Sequence, residues 1–103
     1  MTFPDLNPLI HAPVRLQICA ILFATDEAEF ALVREETGVS ESVLSKQVKL
    51  LEEAAYVAVR KAVLASRQRT WLSLTEAGRK AFAAHMRALT GLANRAANGI
   101  AGE

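Results

Sequence analysis

The chain has little with which to cross-link itself, hold a metal or cross a membrane. Its 103 residues include one cysteine, Cys19, so an intramolecular disulfide is excluded and a reducing compartment fits. The two histidines, His11 and His85, form no Cys/His cluster of zinc-site spacing, and no metal site is expected. There is no Gly-rich phosphate loop and no nucleophile–base pair, so neither an enzyme nor a cofactor is expected. The longest apolar stretch, Ile18 to Ala24, falls far short of the ~18 residues that a membrane span needs. The opening Met1-Thr2-Phe3-Pro4-Asp5 lacks the basic region of a signal peptide. A soluble, cytoplasmic protein with no membrane partner is the expectation. No repeat of about 20–50 residues is visible, which excludes solenoids and propellers.

What is present is ordinary in amount and uneven in placement. Hydrophobic residues make up 51% and charged residues 22%, as in globular domains. The length fits one domain over residues 1–103. Net charge is +1, but residues 1–36 carry two basic against six acidic groups, whereas residues 37–80 carry eight against four. A basic patch of that kind attracts polyanions even when total charge is small, although solvated surfaces often fluctuate this way.

Residues 1–11 hold two prolines and an asparagine and read as an irregular arm. His11-Ala12-Pro13 opens a helix, since proline is tolerated in a first turn. From Val14 to Phe23 only Arg15 and Gln17 are polar; such a helix is either central or covered by a partner chain. A short helix follows over about Ala31 to Thr37 and ends at Gly38. Ser40 is a good N-cap for a third helix to about Ala54, with Glu41 in its first turn. Its Leu44, Val48 and Leu51 recur at helical spacing, and Ser42, Ser45, Lys46 and Lys49 lie opposite.

After Tyr56 the period changes to two, with Val57, Val59, Lys61 and Val63 alternating with Ala58, Arg60 and Ala62. Ala65 to Gln68 reads as a turn and Thr70 to Leu74 as a second strand, making a hairpin. Thr75 caps a last helix, expected over residues 75–98, with Gly99 and Gly102 suggesting a frayed end. In it Phe82, Leu89 and Ala96 repeat at seven with Met86, Leu92 and Ala93 between, a spacing that suits a helix–helix seam.

A short helix, a Gly turn and a second helix make a helix-turn-helix, and a following hairpin makes a wing. The fold class expected is therefore α+β and mostly helical: a winged helix-turn-helix with a two-stranded wing and a long C-terminal helix. Its exposed recognition face would be Ser42, Ser45, Lys46 and Lys49, bordered by Gln47. The wing would offer Arg67, Gln68 and Arg69 at its tip and Arg60 and Lys61 on its rising strand. Trp71 is expected to pack the hairpin on the body, and Cys19 to be a buried, inert thiol.

The stretch Thr37-Gly38-Val39-Ser40-Glu41-Ser42-Val43-Leu44-Ser45-Lys46-Gln47-Val48-Lys49-Leu50-Leu51-Glu52-Glu53-Ala54 resembles the helix-turn-helix of bacterial and archaeal winged-helix transcriptional regulators, the MarR-like and ArsR-like types. Leu74-Thr75-Glu76-Ala77-Gly78-Arg79 resembles the box that ends their wing, and His11 to Ile18 resembles their first helix. The likeness spans about residues 11–89. It implies a homodimer on double-stranded DNA with a pseudo-palindromic operator. Leu16, Cys19, Phe23, Phe82, Met86, Leu89, Leu92 and Ala93 are the residues expected at the dimer seam.

The family it resembles usually has Gly where this chain has Ala55; in a left-handed backbone, Ala costs about 1 kcal/mol relative to Gly. Two other readings stay open at this point. One is a winged-helix adaptor that binds protein and no DNA. The other is a sensor with a small-molecule effector held between the first and last helices.

Overall fold

In a computed structural model, which describes residues 6–101, the order of elements is α1 (Pro8–His11), α2 (Pro13–Phe23), β1 (Ala28–Glu29), α3 (Phe30–Thr37), α4 (Glu41–Glu53), β2 (Val57–Leu64), β3 (Arg67–Leu74) and α5 (Glu76–Ala101). The mostly helical α+β architecture and the winged helix-turn-helix match the sequence reading. Gly38 ends α3 in the left-handed conformation at φ 72°, and Ser40 Oγ accepts the Val43 amide at 3.2 Å to start α4.

The arm corrects one expectation. Residues 8–11 are helical rather than irregular, because Pro8 begins α1 and Asn7 Oδ1 accepts the amides of Leu9 and Ile10 at 3.0 and 3.2 Å. Residues 1–5 of that arm lie outside the described residues. Ile10 is fully buried and anchors the turn.

α2 is apolar nearly all round because it is the central helix. It packs against α1, α3, α4, α5 and β3, and buries Ile18, Cys19 and Leu22. Val33 of α3, Leu44, Val48 and Leu51 of α4, Val57, Leu72 and Leu74 of the sheet, and Phe82 of α5 complete the core. Cys19 and Phe82, expected at a seam between two chains, are thus buried within one.

The sheet has a strand more than expected. β1 pairs antiparallel with β3 through Ala28–Leu72 and Glu29–Trp71, giving the order β1-β3-β2. Two residues are too few for alternation to reveal. The hairpin closes on Ala65 and Ser66, both left-handed at φ 52° and 65°, so Leu64 pairs with Arg67 and β3 begins three residues before the expected Thr70.

The box that follows the wing holds the two halves together. The Thr75 amide donates to the Tyr56 carbonyl at 3.0 Å and its hydroxyl to the Ala55 carbonyl at 2.7 Å. Thr75 Oγ1 also accepts the Gly78 amide at 2.9 Å, capping α5. Arg79 reaches back to the end of α2, donating to the carbonyls of Phe23 and Thr25 at 3.2 and 2.7 Å. Phe23 is the last residue of that helix, whose final carbonyls have no partner inside it, and Thr25 lies just past its cap. α5 then runs through Gly99 to Ala101; Gly102 lies outside the described residues.

Candidate nucleic-acid interface

On α4 the buried stripe Leu44, Val48 and Leu51 fixes which side faces outward. Ser42, Lys46 and Lys49 lie opposite it and are exposed, with Ser45 exposed on the flank toward the hairpin. A cleft of about 580 Å³ separates that flank from the sheet; Ser45 and Lys49 line one wall, Lys61 and Thr70 the other, and Val48 and Leu72 lie at its base. Lys49 and Lys61 therefore face one space, although Glu41 and Glu52 also border it.

Gln47 is not on this surface in the sense the sequence suggests. Its Oε1 accepts from Arg15 Nη1 at 2.6 Å, and Arg15 Nε donates to the Leu9 carbonyl at 2.6 Å. Arg15 thus ties α1 and α2 to the middle of α4 and holds that helix in place. A glutamine on the rim of a helix face gives no sign of a partner 32 residues away.

The wing cations divide by strand alternation. Lys61 sits with Val57 and Val59 on the side toward α4, and Arg60 turns to the other side beside Ala58 and Ala62. Arg60 donates to both carboxylate oxygens of Glu27 at 2.9 and 2.7 Å and lies 5.5 Å over the Trp71 ring. The hydrogen bonds from Arg60 hold the Glu27 carboxyl below its usual range, and those to Glu27 raise the guanidinium in turn. Arg69 Nη1 donates to Glu29 at 3.2 Å. Two of the cations assigned to the wing are therefore matched by acids at the edge of the sheet, Glu27 just before β1 and Glu29 within it. Arg67 and Gln68 at the tip are exposed, as are Val63 and Leu64, which are 73% and 51% accessible. Among the described residues Lys46, Lys49, Lys61 and Arg67 have no acidic partner.

Trp71 lies half-buried within the sheet; its indole Nε1 is buried and meets no acceptor among the described residues. Cys19 is fully buried, and desolvation pushes its thiol up to about 11 against the opposing pull of Arg15. A thiol held that high carries almost no thiolate at neutral pH and is a poor nucleophile.

The sequence gives no sign of the histidine pair. His85 is fully buried on α5, and its Nδ1 accepts the Asn7 amide at 2.9 Å. In the neutral ring Nε2 then carries the proton and faces His11 Nδ1 at 3.1 Å. Desolvation and the neighbouring His11 hold His85 below the usual histidine range. Among the described residues no three His, Cys, Asp or Glu come close enough to hold a metal, and no helix is long and apolar enough to cross a membrane.

Of the expected seam residues outside the core, Phe23 and Met86 are 41% and 39% exposed. Leu16, Leu89 and Leu92 are half-buried and Ala93 is exposed. Beyond Leu89 nearly every described position of α5 faces solvent.

Comparison with known proteins agrees with this geometry. A sequence model described as a winged helix DNA-binding domain matches residues 14–93. An uncharacterized protein of Methanocaldococcus jannaschii is 31% identical over 74 residues, covering 72% of this chain and 80% of its own. Among solved structures, a transcriptional regulator homologue from Pyrococcus horikoshii OT3 superposes with a TM-score of 0.78 at 24% identity, over 84% of this chain and 85% of that one. The transcriptional repressor BigR from Xylella fastidiosa gives 0.68 at 25% identity, over 84% and 82%. NadR, solved in complex with 4-hydroxyphenylacetate, gives 0.73 at 18% identity, over 94% and 68%.

Proposed function

The chain belongs to the winged helix DNA-binding domain family, and from that premise we propose that it is a single-domain, cytoplasmic transcriptional regulator that binds double-stranded DNA sequence-specifically as a homodimer. The observation that carries this reading is the exposed ridge Ser42, Lys46 and Lys49 on α4, beside the unpaired Lys61 and Arg67 of the hairpin. α4 enters the major groove, which is wide enough to admit a helix. Ser42, Ser45 and Lys46, in its N-terminal half, reach base edges; Lys49 and Lys61 neutralise phosphates on either side of the cleft. The wing tip brings Arg67 and Gln68 to the backbone or minor groove.

The dimer reading rests on α5. A helix of 26 residues that is covered only near its start gains stability from a second copy. Phe23, Met86, Leu89, Leu92 and Ala93, with Leu16 beneath, supply the apolar surface for that contact. Two copies present two α4 helices to half-sites about one or a few helical turns apart. A small-molecule effector, expected between the first and last helices, would find a described cleft between α4 and the sheet instead, where occupancy would compete with DNA for Lys49 and Lys61.

Selection of bound duplexes from a random pool by the purified chain tests the reading. An enriched inverted repeat is expected, with affinity that falls steeply as salt rises, by roughly one counterion per phosphate contact. Lys46→Glu with Lys49→Glu should abolish that binding. No enrichment over a scrambled control would favour a protein-binding adaptor instead.

A further inference from the structure

Of the apolar side chains of α4, Leu44, Val48 and Leu51 are nearly or wholly buried, whereas Val43 in the first turn and Leu50 two turns on stay exposed. Val43 is apart from them, 40% exposed in the first turn, with its amide on the Ser40 cap. Its neighbours one turn on are Lys46 at i+3, on the outer surface, and Gln47 at i+4. A β-branched residue is among the poorer helix formers, so its presence at an exposed helical position does nothing for the helix itself.

We propose that Val43 is a specificity-determining residue that reads the C5-methyl group of a thymine in each half-site. This inference rests on the DNA-binding reading and gives it a base. Recognition helices reach base edges with their N-terminal residues, which is where Val43 stands. An isopropyl group can neither donate nor accept a hydrogen bond. Of the four unmodified bases, only thymine shows an apolar group in the major groove. Gln47, the next residue along this flank, is held by Arg15 and leaves the valine methyls unobstructed by a mobile amide. Lys46 beside it is the donor for a neighbouring acceptor edge, so the thymine belongs next to a guanine.

The test uses the operator that the wild-type chain selects, with deoxyuridine replacing each thymine in turn, which removes the methyl and nothing else. At one thymine per half-site the wild type should lose about fourfold in affinity, the size expected for one buried methyl group. Val43→Ala should bind the thymine and deoxyuridine duplexes alike, and Val43→Thr, which keeps one methyl, should retain part of the difference. Circular dichroism confirms that both variants fold. An unchanged thymine-to-deoxyuridine ratio in Val43→Ala, or no thymine whose methyl matters to the wild type, overturns the assignment while leaving DNA binding intact. A wild-type chain that selects no duplex overturns both readings.

Discussion

Gly78 lies so close to the carbonyl oxygen of Tyr56 that a Cβ at position 78 would overlap it. The obstacle is backbone at the end of the α4–β2 connection, which Thr75 also grips, so it cannot swing aside as a side chain could. Gly78→Ala should therefore force α5 off the hairpin and cost about 2–3 kcal/mol, as overpacking does. Thermal unfolding should fall by about 10 °C or more. Gly91, in the same helix with open space around it, is the control: Gly91→Ala should raise stability by about 0.5–1 kcal/mol.

Ala55 makes the opposite prediction. It keeps the left-handed backbone at φ 63° that the family meets with glycine, and the Ala55 carbonyl is held by the Thr75 hydroxyl. The end of α4 thus keeps a left-handed turn on an alanine, and the strain is borne locally. Ala55→Gly should raise the urea midpoint at constant slope, by about 0.5–1 kcal/mol once the freer unfolded chain is counted. A lower midpoint would mean that the alanine side chain contributes packing that its exposed position does not suggest.

Caps, the Gly38 turn, the buried stripe of α4 and the alternation of β2 are local patterns, set by a few neighbouring residues, and they placed the elements closely. What stayed hidden depends on partners far along the chain. Arg15 on Gln47, Glu27 on Arg60, and His11 against His85 are separated by 32, 33 and 74 residues. Each involves side chains that alone would pass for solvated polar groups. The apolar surplus of α2 has two readings, central or dimer-facing; the contacts within one chain account for Ile18, Cys19 and Leu22, and leave Phe23 exposed. The site divides the same way: the ridge on α4 was legible from periodicity, whereas the loss of Arg60 and Arg69 to acids was not.

Those acids should restrain DNA binding. Glu27 and Glu29 neutralise Arg60 and Arg69 and add negative field beside the wing. Glu27→Gln and Glu29→Gln should each raise affinity for the selected duplex about two- to fivefold at low salt, since exposed pairs of this kind are weak and the freed guanidinium can meet a phosphate. The gain should shrink as salt rises. Titration by fluorescence anisotropy at two salt concentrations checks this, and unchanged or weaker binding would place both arginines outside the interface.

The histidine pair predicts how stability follows pH. His85 accepts the Asn7 amide as a neutral ring in a dry site, and desolvation, then His11, holds its affinity for a proton below that of a free histidine. As pH falls, the unfolded chain therefore takes up this proton first, near pH 6.5, while the folded chain resists. The stability from this group is fully present above about pH 6.5 and is lost as pH drops through the lower folded value. Urea midpoints should accordingly be flat from pH 8 to 7 and fall as pH drops below about 6.5. His85→Gln keeps an acceptor for the Asn7 amide but cannot titrate, so its midpoint should start lower and decline less over that window. Protonation of His85 Nδ1 also removes the bond that docks α1, so the protection of the Asn7 amide against exchange, taken relative to its intrinsic rate at each pH, should fall at low pH in the wild type alone. A slope in His85→Gln as steep as the wild type's would assign the acid sensitivity to other groups, with Glu27 acting at lower pH through its pairing with Arg60.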